Sequence, residues 1–273
     1  MVKRGFIKIR EGQVHYRYKG NKNKEPVILL HPGPTSSLSL VPLIEELGKR
    51  YWVVAPDIIG MGDSVGPDIK DPDISYFADA IFRFLDKLNI DKFYLWGCMT
   101  GAHCGIEMSI QQPKRVNLFY IEFLQIYEHK IQKYLEKSHA PKIIHDHNGS
   151  QLNVLWHLAR DQYFFFPWFI GKKEFIRRSA LPSPKHLHEK TVEILKASST
   201  YHLALNAALK YPTEERLKQI TVPVIAPKNL KNLIINFHSH ENICISPVTS
   251  PKNEIIKSAR EISNSIETMS HHR

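Results

Sequence analysis

Leu95-Trp96-Gly97-Cys98-Met99-Thr100-Gly101-Ala102 is the stretch on which the reading of this chain turns. It starts inside the apolar run Phe93–Trp96, a strand signal, and leads into Gly101–Gln111, which reads as a helix. The same alternation continues outward on both sides. Upstream, Gln13–Lys19 alternates as a strand and meets the turn Gly20-Asn21-Lys22-Asn23. Val27–Leu30 and Trp52–Ala55 are short apolar runs of buried strands, with helices expected at Leu43–Leu47 and Tyr76–Leu88. Downstream, Val116–Phe123 is one more strand. Strands alternating with helices predict a mostly parallel, doubly wound α/β sheet covered on both faces.

The pattern changes after residue 125. Over 126–215 strand signals vanish, helical stretches and aromatics dominate, and eight of the fifteen histidines occur there. We read this part as a helical insert between an N-terminal core portion, 1–125, and a C-terminal one, 216–273. The C-terminal portion offers strand signals at Val222–Ala226 and Leu233–Phe237, a helix over Asn253–Glu261 and a possible last strand at Ser265–Met269.

Composition narrows the function classes. The chain has 273 residues, 42% hydrophobic and 23% charged, which suits a globular protein and excludes general disorder. No apolar stretch approaches the ~20 residues of a membrane helix, and the N-terminus lacks the apolar region of a signal peptide. The expectation is a cytoplasmic protein that engages no membrane. The net charge of +10 is diffuse: 16 basic against 14 acidic residues over 1–125, 13 against 9 over 126–215, and 8 against 4 over 216–273. Without a dense basic patch, no nucleic-acid partner is expected. Cys98, Cys104 and Cys244 lack disulfide-framework or zinc-finger spacing. Three His-x-His pairs (145/147, 186/188, 238/240) lack the further ligands of a metal site, so no metal is expected. No phosphate-cradling or dinucleotide motif is present.

Three segments occur in register: His31-Pro32-Gly33-Pro34-Thr35-Ser36-Ser37 after a strand, Pro56-Asp57-Ile58-Ile59-Gly60-Met61-Gly62-Asp63-Ser64, and the Gly97–Gly101 turn. In this order and spacing they resemble the α/β-hydrolase superfamily. The third resembles its nucleophile elbow, Gly-x-nucleophile-x-Gly, between strand and helix. The resemblance implies an α/β-hydrolase core with a helical cap at 126–215, no cofactor, and descent from hydrolases of small ester, thioester, epoxide or related carbonyl substrates. It places an oxyanion hole at the backbone N–H groups of Thr100 and Gly33, since Pro32 and Pro34 have none.

The departure is at the nucleophile position, which holds Met99. A thioether has no proton to give a base, so the usual covalent step is not available. The superfamily order then asks for an acid and a histidine. The candidates are Glu241 after Leu233–Phe237, or Glu122 at the end of the strand following the elbow helix, with His271 as the base. A competing register puts the late acid near Lys228-Asn229, where there is no carboxylate. His31 is expected to tie loops together at the pocket edge. Trp156, Phe165 and Trp168 are expected either to pack cap on core or to wall an apolar pocket. Activity is therefore expected to be impaired or non-covalent. The alternatives are a non-catalytic binding or scaffold protein, or a cofactor-free lyase or oxygenase working from a His–acid pair. The expected partner is a small apolar molecule, with a homodimer a further option.

Overall fold

The computed structural model describes residues 1–127, 129–177, 179–239 and 252–271. Its centre is an eight-stranded sheet: β1 (Lys3–Lys8), β2 (Gln13–Lys19), β3 (Pro26–Leu30), β4 (Trp52–Pro56), β5 (Phe93–Cys98), β6 (Val116–Phe123), β7 (Val224–Ala226) and β8 (Phe237–Ser239), in the order β1-β2-β4-β3-β5-β6-β7-β8. The β1–β2 and β2–β4 pairs are antiparallel and every other pair is parallel.

Continuous apolar runs form the central strands because both faces are covered. Alternate residues divide between two cores. Ile28, Leu30, Leu95 and Phe119 belong to the one that includes α2 (Ile74–Lys87) and α3 (Thr100–Gln111). Val27, Leu29, Tyr94, Trp96, Leu118 and Tyr120 belong to the one that includes α1 (Val41–Leu47) and α9 (Lys252–His271). Asp73 starts α2 by accepting the Tyr76 N–H at 3.0 Å, the usual N-cap arrangement.

Between β6 and β7 the chain forms α4 (His129–Ser138), α5 (Ser150–Asp161), α6 (Pro184–Lys196), α7 (Tyr201–Lys210) and α8 (Thr213–Leu217). An isolated bridge, Phe165 to Ile176, supplies the β-pairing described there. Two expectations are corrected at the C-terminal end. Leu233–Phe237 is not one strand: Lys228–Leu233 is a 3₁₀ turn and β8 starts only at Phe237. Ser265–Met269 is the late part of α9, whose apolar residues Ile255, Ala259, Ile262 and Ile266 recur at helical spacing and are buried. β1 carried no clear sequence signal, because this edge strand is mostly exposed and polar.

Candidate active site

The strand-to-helix turn at Met99 is one of two positive-φ positions without glycine among the described residues, the other being Asn89. Met99 has φ 51° and ψ −117°, a combination that glycine tolerates and methionine adopts only under constraint. Its N–H donates to the Phe123 carbonyl at 2.8 Å, and its carbonyl accepts from the His103 N–H at 3.1 Å and from His103 Nδ1 at 2.9 Å. Two glycines permit the turn. A Cβ at Gly101 would lie 2.2 Å from the Leu30 carbonyl oxygen, and one at Gly97 would lie 2.8 Å from the Gly101 carbonyl oxygen. Helix α3 approaches β5 at Gly97 and β3 at Gly101 too closely for a side chain at either position.

Thr100 opens α3, so its N–H has no acceptor within the helix. Gly33 lies across from it: a Cβ there would be 3.0 Å from Thr100 Oγ1 and 2.8 Å from Leu205 Cδ1 of α7. The loop holding Gly33 is anchored by His31, which is fully buried. His31 Nδ1–H donates to the Pro32 carbonyl at 3.0 Å and Nε2 accepts the Ile58 N–H at 2.9 Å. Burial lowers its pKa and favours this neutral ring.

Asp57 is a hub beneath the same loop. It accepts His15 Nδ1 at 2.8 Å, the Ser37 N–H at 2.8 Å, the Ser37 hydroxyl and the Asp63 N–H at 3.0 Å. Burial by itself would raise its pKa. The hydrogen bonds from His15 and Ser37 outweigh that and hold the carboxyl well below the ordinary range. Ser64 completes the turn, accepting the His15 N–H at 3.0 Å and donating to the Asp57 carbonyl at 2.8 Å. Among the described residues, His15, Asp57 and Asp63 are the one group close enough to hold a metal ion. Arg4 already engages His15 Nε2 at 2.9 Å and Asp63 at 2.8 Å, so the donor atoms face a guanidinium rather than a vacant position.

Glu122 is buried and accepts the Trp96 indole N–H at 3.1 Å. Glu241 lies outside the described residues, and so does His240, the residue directly after β8. His271 ends α9. That helix brings Ser263 to Tyr51 and Glu267 to Arg50, 2.9 Å apart, at the start of β4. The start of β4 is the end of the parallel strands opposite the Met99 turn, so α9 carries His271 away from the site. The stretch after β7 is Pro227-Lys228-Asn229, without a carboxylate.

A cavity of about 690 Å³ opens at the ends of β6 and β7, lined among others by Glu122, Phe123, Leu124, Tyr127, Glu214 and Asn229. The aromatics expected to wall a pocket lie elsewhere. Trp168 donates its indole N–H to the His139 carbonyl at 2.9 Å and packs on the main core. Phe165 sits at the bridge to Ile176, and Trp156 is half-buried in α5. Cys98 and Cys104 are buried free thiols, and burial pushes Cys104 up to about 12, which leaves it unreactive. Cys244 is outside the described residues.

A family model described as the alpha/beta hydrolase fold matches residues 25–120, the segment that holds the Met99 turn, the Asp57 turn and the His31 loop. The chain has the α/β-hydrolase fold. It is 30% identical over 111 residues to an uncharacterized hydrolase of Saccharomyces cerevisiae, covering 40% of this chain and 38% of that one. It is 31% identical over 132 residues to a haloalkane dehalogenase of Mesorhizobium japonicum, covering 46% and 40%. The chain thus spans about two fifths of the length of these curated relatives. The enol-lactonase of Burkholderia xenovorans superposes with a TM-score of 0.70 at 15% identity, covering 97% of this chain and all of that one, a likeness of fold alone. The sheet also includes β1, β2, β7 and β8, which lie outside the residues 25–120 that the family model matches. No described helix is long and apolar enough to cross a membrane.

Sequence reading did not find two groups that the fold assembles. Glu193, from α6, reaches the His31–Ser37 loop. Glu107 lies buried under Tyr211 and Arg216. Neither had a local signal, because each pairs with residues about a hundred or more positions away in the sequence.

Proposed function

We propose that this chain is a divergent α/β-hydrolase-fold protein that takes small, largely apolar carbonyl compounds at the Met99 turn and has lost the covalent step of its hydrolase relatives. One observation carries the reading. Met99 has a strained backbone at the strand-to-helix turn, Thr100 starts the helix directly after it, and Gly33 approaches the Thr100 side chain. In this reading the Thr100 and Gly33 amides together serve a carbonyl oxygen that gains negative charge. The thioether between them offers an apolar, polarizable contact and no exchangeable proton. The neighbouring cavity, with Glu122, Tyr127 and Asn229 among its lining, suits a ligand with one polar end. The segment 126–215 acts as a cap in this reading.

The alternative, a binding protein without catalysis, is favoured by the engagement of Glu122 with Trp96 and by the course of α9 away from the site. A lyase working from a His271–acid pair is disfavoured by that same course.

The test uses 4-nitrophenyl esters of two to eight carbons, on the wild type and on Met99→Ser. The wild type is expected to release no burst of nitrophenol. Met99→Ser is expected to gain the mass of one acyl group per chain, slowly, because amide donors alone still lower the barrier without a full triad. A burst from the wild type would mean another nucleophile acts. Absence of acylation in Met99→Ser, together with no saturable binding of the esters to either protein, would sink the assignment of this turn.

A further inference from the structure

The loop after β3 carries two adjacent serines, and carboxylates from two different parts of the chain hold them. Ser37 is held by the core through Asp57, by both its N–H and its hydroxyl. Ser36 donates its hydroxyl to Glu193, which sits near the end of α6 in the 126–215 insert. Glu193 is 7% exposed, and carboxylates are seldom buried that far without a partner. Its other oxygen accepts Lys196 Nζ at 2.8 Å, and Lys196 reaches on to Asp63 at 3.3 Å. Thr200 donates to the Gly60 carbonyl at 3.0 Å. The end of α6 is thus fastened to the core at Ser36, Asp63 and Gly60, and only the first of these lies in the loop that carries Gly33.

Ser36 also organises that loop. Its hydroxyl oxygen accepts the Leu38 N–H at 3.1 Å and its carbonyl accepts the Ser39 N–H at 3.1 Å, which starts the 3₁₀ turn Ser37–Leu40. Leu205, in the helix after α6, closes on Gly33 from the insert side. A hydroxyl bonded to a buried carboxylate is among the stronger hydrogen bonds available, and losing the acceptor leaves the donor unpaired in a buried place.

We propose that Glu193 is a positioning residue which sets the His31–Ser37 loop, and so the aim of the Gly33 N–H, only while the insert is docked on the core. The functional part rests on the reading of Gly33 and Thr100 as the pair of amide donors. Insert docking and ligand binding at the turn are then reciprocal: whatever uses the Gly33 N–H favours the docked insert.

Hydrogen exchange on the full chain tests this directly. Glu193→Ala is expected to speed exchange over residues 31–40 about tenfold or more while peptides of β5 keep the wild-type rate. Lys196→Gln leaves the Ser36 acceptor in place, so it is expected to speed loop exchange clearly less than Glu193→Ala does. Glu193→Gln still accepts the Ser36 hydroxyl and is expected to restore most of the loop protection. In the Met99→Ser background, Glu193→Ala is expected to lower the acylation rate constant about tenfold with ester affinity within about twofold of its parent, since a misaimed amide acts on the transition state. Wild-type exchange over 31–40 in Glu193→Ala overturns the proposal. A rise shared equally by β5, or a loss carried wholly by ester affinity, overturns it too. If Met99→Ser is never acylated, the functional reading fails on its own, and the exchange pattern still decides whether Glu193 positions the loop.

Discussion

Mild acid should weaken this protein by a calculable amount through His103. The ring is buried in α3, its Nδ1–H tied to the Met99 carbonyl and its edge against Tyr211, and burial lowers its pKa from 6.5 to about 4. The sign follows from linkage. A buried neutral histidine binds its proton more weakly folded than unfolded, so its contribution to stability is full above about pH 6.5 and is lost as pH falls toward 4. At pH 5.5 the unfolded form is about ten-elevenths protonated and the folded form about 3%. The ratio of binding polynomials is about 11, or about 1.4 kcal/mol, against less than about 0.1 kcal/mol at pH 7.5. His31, His139 and His202 are lowered as well and add to the slope. Asp57 works in a lower window: its depressed carboxyl stabilises at every pH above the ordinary carboxylate range and loses its contribution only below about pH 4. His103 is therefore isolated by comparison with His103→Gln, which keeps an amide donor toward Met99. Urea unfolding followed by tryptophan fluorescence at pH 7.5 and 5.5 gives the change for each protein. The wild type should lose about 1.4 kcal/mol more than His103→Gln over this interval, whatever the absolute stability of the variant. Equal losses would refute the argument that the ring is neutral because it is buried.

Three further outcomes test the geometry around the site. Met99→Gly should be more stable than Met99→Ala by about 1 kcal/mol in urea titrations, the reverse of the usual order at a helix start, because φ 51° and ψ −117° suit glycine. Gly101→Ala should cost about 3 kcal/mol or prevent folding, as its methyl would meet the Leu30 carbonyl oxygen at 2.2 Å, backbone against backbone; a thermal melt within 2 °C of wild type would contradict that contact. Arg216→Gln should cost about 3 kcal/mol, since it removes the guanidinium that neutralises buried Glu107 and leaves the carboxylate the Tyr211 hydroxyl. Glu107→Gln in the same background should recover much of that loss, and failure to recover it would show that the charge of Glu107 is not what Arg216 neutralises.

Much of the core could be read from local patterns. The strands Val27–Leu30, Trp52–Ala55 and Val116–Phe123 were legible because a strand buried on both faces is apolar without interruption, and such runs are short and bounded by turns. The turn at Met99 was legible because close approach of helix to strand permits only glycine at 97 and 101. The absence of an ionisable nucleophile at residue 99 is likewise a fact of the sequence alone. The tail was misread where periodicity was ambiguous. Ser265–Met269 is too short to separate a strand from a helix by pattern, and its helical state follows from the packing of Ile262 and Ile266 against the core shared with α1.

What tertiary structure decided is which charged groups meet. Glu122 was placed correctly on its strand, yet its engagement with Trp96 depends on a neighbouring strand 26 positions away in sequence. The distance of His271 from the turn follows from the direction in which α9 crosses the sheet, which no local pattern encodes. Glu193 and Ser36 are 157 residues apart and meet because the insert folds back over the loop. Local sequence sets elements through periodicity and backbone sterics, whose range is a few residues. The pairing of buried charges is set by the desolvation cost of leaving any one of them alone, and that cost is settled only when the whole chain has packed.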